Sequence, residues 1–169
     1  MPEEKYGSGS VDINRLIRGL TSVWRDSLLA GRNISDQLML QKDIPPLQCC
    51  ADSLKQILTN LVKNAVEAMG EGGTLTIASR APVNINGRPH VEISVVDSGP
   101  GLPRAVLEKA FTPTGYPAKS GGRGLGLAIV GELIANLKGF ISCSNRDVGG
   151  AEFIIRIPRE DKVAEADRS

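Results

Sequence analysis

Two glycine-rich runs on either side of a proline-bearing loop restrict this chain more than any other feature. Asp97-Ser-Gly-Pro-Gly101 follows the apolar run Ile93 to Val96, and Gly122-Arg-Gly-Leu-Gly-Leu-Ala-Ile-Val130 opens a helical pattern. Between them, Phe111 to Gly122 carries prolines at 113 and 117 and glycines at 115, 121 and 122. A strand end and a helix start are thereby tied to one loop, with a carboxylate on one side and bare backbone amides on the other. That pairing suits a nucleotide. Adenine offers an amino donor to a carboxylate, and phosphate is drawn to amide N–H groups at a helix N-terminus, where the dipole favours anions.

The rest of the chain can build a scaffold for such a site. Its 169 residues match a single domain with a real core, and 41% apolar and 23% charged residues are ordinary for a globular protein. A net charge of +1 gives no field that would select nucleic acid or a membrane surface, and 4% aromatic residues leave little for base stacking. No apolar run reaches the roughly 18 residues of a membrane span, and no signal peptide is visible. Cys49, Cys50 and Cys143 have no metal spacing and read as reduced thiols of a cytoplasmic protein, while His90, the single histidine, excludes a multi-histidine metal site within one chain. Met1 to Ser10 is polar, ends in Gly-Ser-Gly-Ser and reads as a linker; residues 159–169 read as a disordered charged tail, leaving one domain over residues 11–158.

Within that domain, Ile13, Leu16, Ile17, Leu20, Val23, Trp24 and Leu28 recur at helical steps, so Val11 to Gly31 is expected as an amphipathic helix with Asp12 as N-cap. Ile34 to Leu40 alternates as a strand, Asp43-Ile-Pro-Pro46 breaks it, and Leu47 to Cys50 reads as a short strand. Asp52 opens a strong helix over Ser53 to Met69 that Gly70 to Gly73 ends. Thr74 to Arg80 and His90 to Val96 read as strands, with Asn86-Gly87 as a hairpin signal in the connection. A helix from about Leu125 to Leu137 follows the glycine-rich centre, then strands over Phe140 to Ser144 and Glu152 to Ile157. This order predicts an α+β fold: a two-layer α/β sandwich, with one mixed, mostly antiparallel sheet and helices packed on one face.

Three groups of residues carry candidate chemistry. On the second helix, Gln56, Asn60, Lys63, Asn64 and Glu67 share the arc opposite the apolar one. A polar arc is usually just solvated. Asn, however, costs up to about 0.7 kcal/mol relative to Ala inside a helix, and two of them one turn apart without a capping role invite a ligand. An amide oxygen is a hard neutral donor suited to Mg²⁺, and Lys63 and Glu67 could flank a phosphate or a water. Asp97 reads either as a simple strand-ending turn or as the acceptor for an adenine amino group, with Gly99 and Gly101 letting the base approach the backbone. Gly122-x-Gly124-x-Gly126 does not directly follow a strand, as a dinucleotide fingerprint must, and no P-loop occurs. Arg123 adds a cation beside these glycines. His90 reads as a surface or edge residue, Ser98 lacks partners for a nucleophile triad, and Cys49-Cys50 reads as packing.

Taken together, Asn60-Leu-Val-Lys-Asn64-Ala-Val-Glu67-Ala-Met, Asp97-Ser-Gly-Pro-Gly101, Phe111-Thr-Pro113, Gly122-Arg-Gly-Leu-Gly-Leu127 and Gly149-Gly-Ala-Glu-Phe153 occur in one order. From about Val11 to Pro158 the chain closely resembles the catalytic ATP-binding domain of two-component sensor histidine kinases, within the gyrase/Hsp90/histidine kinase/MutL superfamily. Asn-Ala-Val-Glu-Ala-Met is most similar to the nitrogen-regulation branch. The resemblance implies a Bergerat-type ATP-binding fold. It implies that Asn64 coordinates Mg²⁺ with Asn60 in support, and that Asp97 binds adenine in a pocket shaped by Gly99 and Gly101; Lys63 and Glu67 of the same helix face are read as catalytic beside the two asparagines. Phe111 to Gly122 would be a lid over ATP. Gly124, Leu125 and Gly126 would offer amides to the phosphates, with Arg123 or Lys119 reaching the γ-phosphate.

The implied partners are a histidine-bearing dimerisation domain and a response regulator, with no nucleic acid and no direct membrane contact. No dimerisation hairpin with a phosphoacceptor histidine precedes Val11, so this stretch is expected to be monomeric and to draw its histidine from elsewhere. Two departures stand out. The lid run is Phe111-Thr-Pro-Thr-Gly-Tyr-Pro-Ala-Lys119 where relatives often carry Phe-Phe-Thr-Thr-Lys, and Ala151 stands where many carry Thr. They motivate an alternative, a non-catalytic nucleotide-sensing module. A gyrase- or MutL-type ATPase fits less well, because Asn60 stands where those enzymes carry a general-base Glu.

Overall fold

The computed structural model describes residues 9–109 and 123–159. Its main sheet has five strands: β2 (Ile34–Leu40), β4 (Gly73–Ile85), β5 (Arg88–Val96), β6 (Phe140–Asn145) and β7 (Ala151–Pro158), in the order β2-β4-β5-β7-β6. In this sheet β2 and β4 run parallel; the other pairs are antiparallel. A separate two-stranded ribbon pairs β1 (Gly9–Val11) with β3 (Leu47–Cys49). The helices are α1 (Ile13–Ser27), α2 (Ala51–Met69), α3 (Arg104–Lys109) and α4 (Arg123–Asn136). The α+β sandwich expected from the element order is the fold observed.

The layers follow from side-chain periodicity. Along β5 the odd positions Val91, Ile93 and Val95 are fully buried, as are Phe153, Ile155 and Ile157 of β7 and Leu75 and Ile77 of β4. These rows meet α2, which turns Leu54, Ile57, Leu58, Leu61, Val62, Ala65 and Val66 inward. Leu127, Val130 and Ile134 of α4 extend the same core. Burying a side chain of this size contributes roughly 1.5–3 kcal/mol, so this shared core is a main source of stability. Trp24 of α1 is buried beside it and donates its indole N–H to the Thr59 hydroxyl at 3.3 Å.

Element boundaries depart from the sequence reading where a partner far along the chain decides them. Gly9 and Ser10, read as linker, form β1 because they pair with Cys49 and Gln48. Asp12 caps α1 as expected, accepting from the Arg15 N–H at 3.1 Å, but α1 ends at Ser27, short of Gly31. Cys50 rather than Asp52 holds the N-cap position of α2, which leaves Asp52 in the first turn, where a carboxylate complements the dipole. The β4–β5 hairpin runs past the expected strand ends to a two-residue turn. Asn86 and Gly87 both take positive φ (52° and 81°), which lets Ile85 pair with Arg88. The short helix α3 has no counterpart in the elements expected from sequence. His90 is not an edge residue: it lies on β5 between two neighbouring strands, is 3% exposed, and packs near Phe140 with its Nδ1 at 2.9 Å from the Arg88 carbonyl. Of the tail, Arg159 is described, and its N–H donates to the Pro89 carbonyl.

Candidate functional site

The site lies where β5 ends beside the C-terminal half of α2. Asp97, the first residue after β5, is 2% exposed. Its backbone N–H donates to the Ala151 carbonyl at 3.0 Å, and its Oδ1 accepts from the Gly99 N–H at 2.9 Å and the Ala151 N–H at 3.3 Å. A carboxylate that accepts backbone N–H groups on one oxygen has a fixed orientation. Glycine at 150 is a requirement of this arrangement. Its φ is +91°, and a Cβ there would sit 1.9 Å from the Asp97 carbonyl oxygen. Gly99 lies over the Ala68 carbonyl of α2, where a Cβ would come within 3.2 Å. The strand end is thus seated directly on the helix.

Next to Asp97 opens a recess of about 320 Å³ including its mouth, lined by Asn64, Ala68, Asp97, Gly101, Leu102, Leu127, Ala151 and Phe153. Its mostly apolar walls with a few polar groups have the lining of a small-molecule site. Asn64 has one unusual property. Its Nδ2 is buried and has no hydrogen-bond partner among the described residues. A buried unpaired amide costs about 1–3 kcal/mol, so the polar end of Asn64 is open to a partner that the described residues do not supply. Amide oxygen and nitrogen exchange places by a simple flip, so this end can present either a donor or an oxygen ligand.

The sequence-predicted residues fall into four sets. Asn64, Asp97 and Gly101 come together around the recess. Asn60 lies one turn from Asn64 on α2 and is half-buried, while Lys63 and Glu67 are exposed and do not line the recess. Arg123, Gly124, Leu125 and Gly126 form the first turn of α4, where backbone N–H groups have no partner within the helix. A Cβ on Gly126 would meet nothing within 4 Å, so packing does not demand glycine there and the space beside it is open. Phe111, Lys119 and Gly122, and the expected lid as a whole, lie outside the described residues. The sequence reading missed Ala68, Leu102, Leu127 and Phe153 as walls. Leu127 carried the available signal, an apolar residue at helical spacing just inside the glycine run. Ser98, which lacks partners for a nucleophile, acts structurally, and its hydroxyl accepts from the Thr74 N–H at 2.9 Å at the start of β4. No group of three or more His, Cys, Asp or Glu residues that could hold a metal occurs among the described residues.

This fold and this site define an ATP-binding domain of the kind shared by kinases and gyrase-like ATPases. The family described as histidine kinase-, DNA gyrase B- and HSP90-like ATPases matches residues 50–161, and the chain belongs to it. Over 150 residues, 88% of this chain, it is 37% identical to the sensor histidine kinase ZraS of Klebsiella oxytoca, of which it spans 31%. It is 33% identical over 140 residues to the sensory histidine kinase/phosphatase NtrB of the same organism, covering 77% of this chain and 40% of NtrB. Among solved structures, the catalytic domain of the histidine kinase ThkA superposes with a TM-score of 0.76 at 32% identity, covering 90% of this chain and 95% of that one. ThkA in complex with the response regulator protein TrrA gives 0.73 at 30% identity, covering 90% and 42%. Full-length ShkA in complex with AMPPNP gives 0.75 at 27% identity, covering 91% and 32%. The chain is therefore an ATP-binding catalytic module of the sensor-histidine-kinase type. Its similarity extends to the ZraS and NtrB kinases alike.

Proposed function

We propose that this module binds Mg²⁺-ATP and transfers the γ-phosphoryl group to a histidine on a separate helical domain, from which the phosphate passes to an aspartate of a response regulator. The observation that carries the proposal is the orphaned amide of Asn64 in the recess that Asp97 also lines. In this reading the Asp97 carboxylate accepts from the adenine amino group, while Leu102, Leu127, Ala151 and Phe153 exclude water around the ring. Asn64, with Asn60 one turn away, faces the phosphates. The first turn of α4 offers its unpaired N–H groups to them, and Arg123 or Lys119 is the cation for the γ-phosphate. Lys63 and Glu67, exposed beside Asn60 and Asn64, are placed to meet the incoming domain.

The residues fit a magnesium ion. Asn64 supplies an oxygen by flipping its amide, and Mg²⁺ needs few protein ligands because water and phosphate fill the remaining positions. Bound there, the metal would neutralise phosphate charge. The chain's own work is to orient the base, align the phosphates and supply fixed dipoles where charge develops, which is most of what phosphoryl transfer requires. The imidazole nitrogen of the partner forms a bond to the γ-phosphorus. The bond from that phosphorus to the β–γ bridging oxygen breaks, and ADP leaves with the electron pair.

The identity to ZraS and NtrB, and ThkA's complex with a response regulator, support this setting. A cytoplasmic location accords with three free cysteines and with the lack, among the described residues, of a helix long and apolar enough to cross a membrane. The test mixes the module with a matching histidine-bearing domain and radiolabelled ATP. Wild type is expected to label that domain on the order of a hundredfold faster than Asn64→Ala, as loss of a group acting on transition-state charge implies. Equal labelling by the two proteins would rule out the proposed role of Asn64. ATP binding with no transfer by either would favour the nucleotide-sensing alternative.

A further inference from the structure

We propose that Asn145 is a positioning residue of the nucleotide pocket, holding the Leu102 wall at a fixed distance from Asp97 and so setting which purine the site accepts. The inference rests on the nucleotide-binding reading above and concerns a residue outside every motif that led to it.

Asn145 is the last residue of β6, and its side chain completes a two-way bridge with the backbone of Leu102. Its Nδ2 donates to the Leu102 carbonyl at 2.8 Å, and its Oδ1 accepts from the Leu102 N–H at 2.8 Å. The pattern copies one rung of an antiparallel ladder across 43 residues of sequence. Leu102 depends on that rung. It follows Gly99-Pro100-Gly101, sits in no strand or helix, and precedes α3. Gly101 has φ +85°, and a Cβ there would lie 2.7 Å from the Asn145 Oδ1. The positive φ favours glycine at 101, and the absence of a Cβ leaves room for the close approach of this amide.

The same strand end also holds Asp97. In the register of β6 and β7, Asn145 pairs with Ala151, and Ala151 exchanges hydrogen bonds with Asp97 through its N–H and its carbonyl. One rung thus carries both sides of the recess: Ala151 fixes the carboxylate and Asn145 fixes the apolar wall. Adenine and guanine carry their exocyclic amines at different ring positions. A carboxylate can meet either amine if the ring may turn. A wall held at one spacing allows one ring placement, and a loosened wall allows both.

Asn145 is exposed, so truncating it leaves the Leu102 backbone groups to water and should not unfold the domain. The experiment is calorimetric binding of ADP and of GDP to wild type, Asn145→Ala and Asn145→Asp, with thermal melting of each. Asn145→Ala is expected to bind ADP about tenfold more weakly and to lose most of its preference for ADP over GDP, with little change in Tm. Asn145→Asp keeps the acceptor for the Leu102 N–H but sets a carboxylate against the Leu102 carbonyl, so it should fall between. It also serves if the alanine variant does not fold. Unchanged ADP affinity in Asn145→Ala, or an equal loss for both nucleotides, would overturn the positioning role while leaving the nucleotide site standing. Failure of the wild type to bind ADP would remove the nucleotide reading and this inference together.

Discussion

At the Asp97 end of the sheet, polar groups are exact in placement but incompletely used; on the outer face of the same strands they are fully spent. Asn64 keeps a buried amide nitrogen without a partner among the described residues, beside a recess whose backbone is fixed by Gly99, Gly150 and Ala151. Glu92, one strand face away, is almost as buried, at 7% exposed, yet it is held by Arg80 on β4 and Arg156 on β7, the latter at 2.9 Å. Burial alone would push the Glu92 carboxyl up, but the hydrogen bonds and charges of the two arginines outweigh it and hold it below the ordinary glutamate value. Both regions use residues that sequence patterns treat as polar surface. A group with all its partners inside the protein serves stability. A group whose partner is missing is a place for a ligand, kept at a cost to stability.

Three substitutions can break that comparison. The largest effect is expected at the backbone of the site. Gly150→Ala should cost about 3 kcal/mol, because the new methyl meets the Asp97 carbonyl at a φ that alanine rarely adopts. Denaturant unfolding measures it, and a loss under about 1 kcal/mol would mean that the Asp97 turn yields easily.

Glu92→Gln should cost about 1–2 kcal/mol at pH 7, toward the lower end because the Arg80 side chain is 62% exposed and water can replace part of the pair. The pH dependence has a definite sign. The folded-state carboxyl titrates below its unfolded value, so its stabilisation is present above the ordinary glutamate pKa of about 4.3 and is lost as pH falls further. Asp36, held down by its hydrogen bond to Arg25, adds a slope of the same sign. The gap between wild type and Glu92→Gln should therefore narrow as pH is lowered below the ordinary glutamate value. A gap that stays constant would show that the pair contributes packing rather than charge.

Asn64→Ala is the smallest stability change and the most telling. It removes a buried unpaired group and improves helix propensity, so the apo protein should gain up to about 1 kcal/mol. A thermal melt that shows Asn64→Ala clearly destabilised would mean that Asn64 has an internal partner after all, and the contrast with Glu92 would disappear.

Much of this is legible in the chain before folding. The amphipathic period of α2, the Asp12 cap, the alternation of β2 and the Asn86-Gly87 turn are local, so propensity and patterning fix them. The grouping of Asn64, Asp97 and Gly101 is legible too, because mid-helix asparagines and a carboxylate before glycines are locally unfavourable unless a site explains them. What local patterns miss is any property set by a distant partner. Gly9 and Ser10 have the composition of a linker and become a strand only because β3 is there to pair with them. His90 reads as an edge residue because nothing near it in sequence announces β7 on its far side. Asn145 belongs to no motif; its bridge to Leu102 exists only once β6 has been laid beside β7.

The sequence by itself thus determined the longer helices and strands and their order, and the donors and acceptors gathered near the recess, since these follow from short-range periodicity and from the groups that each residue carries. The tertiary structure decided which polar residues of α2 face a recess and which face water, that Glu92 is paired while the Asn64 amide nitrogen has no partner among the described residues, and how far apart Asp97 and Leu102 stand. Those are properties of register between strands far apart in the chain, and register is fixed by the collective burial of side chains on one face rather than by any single residue.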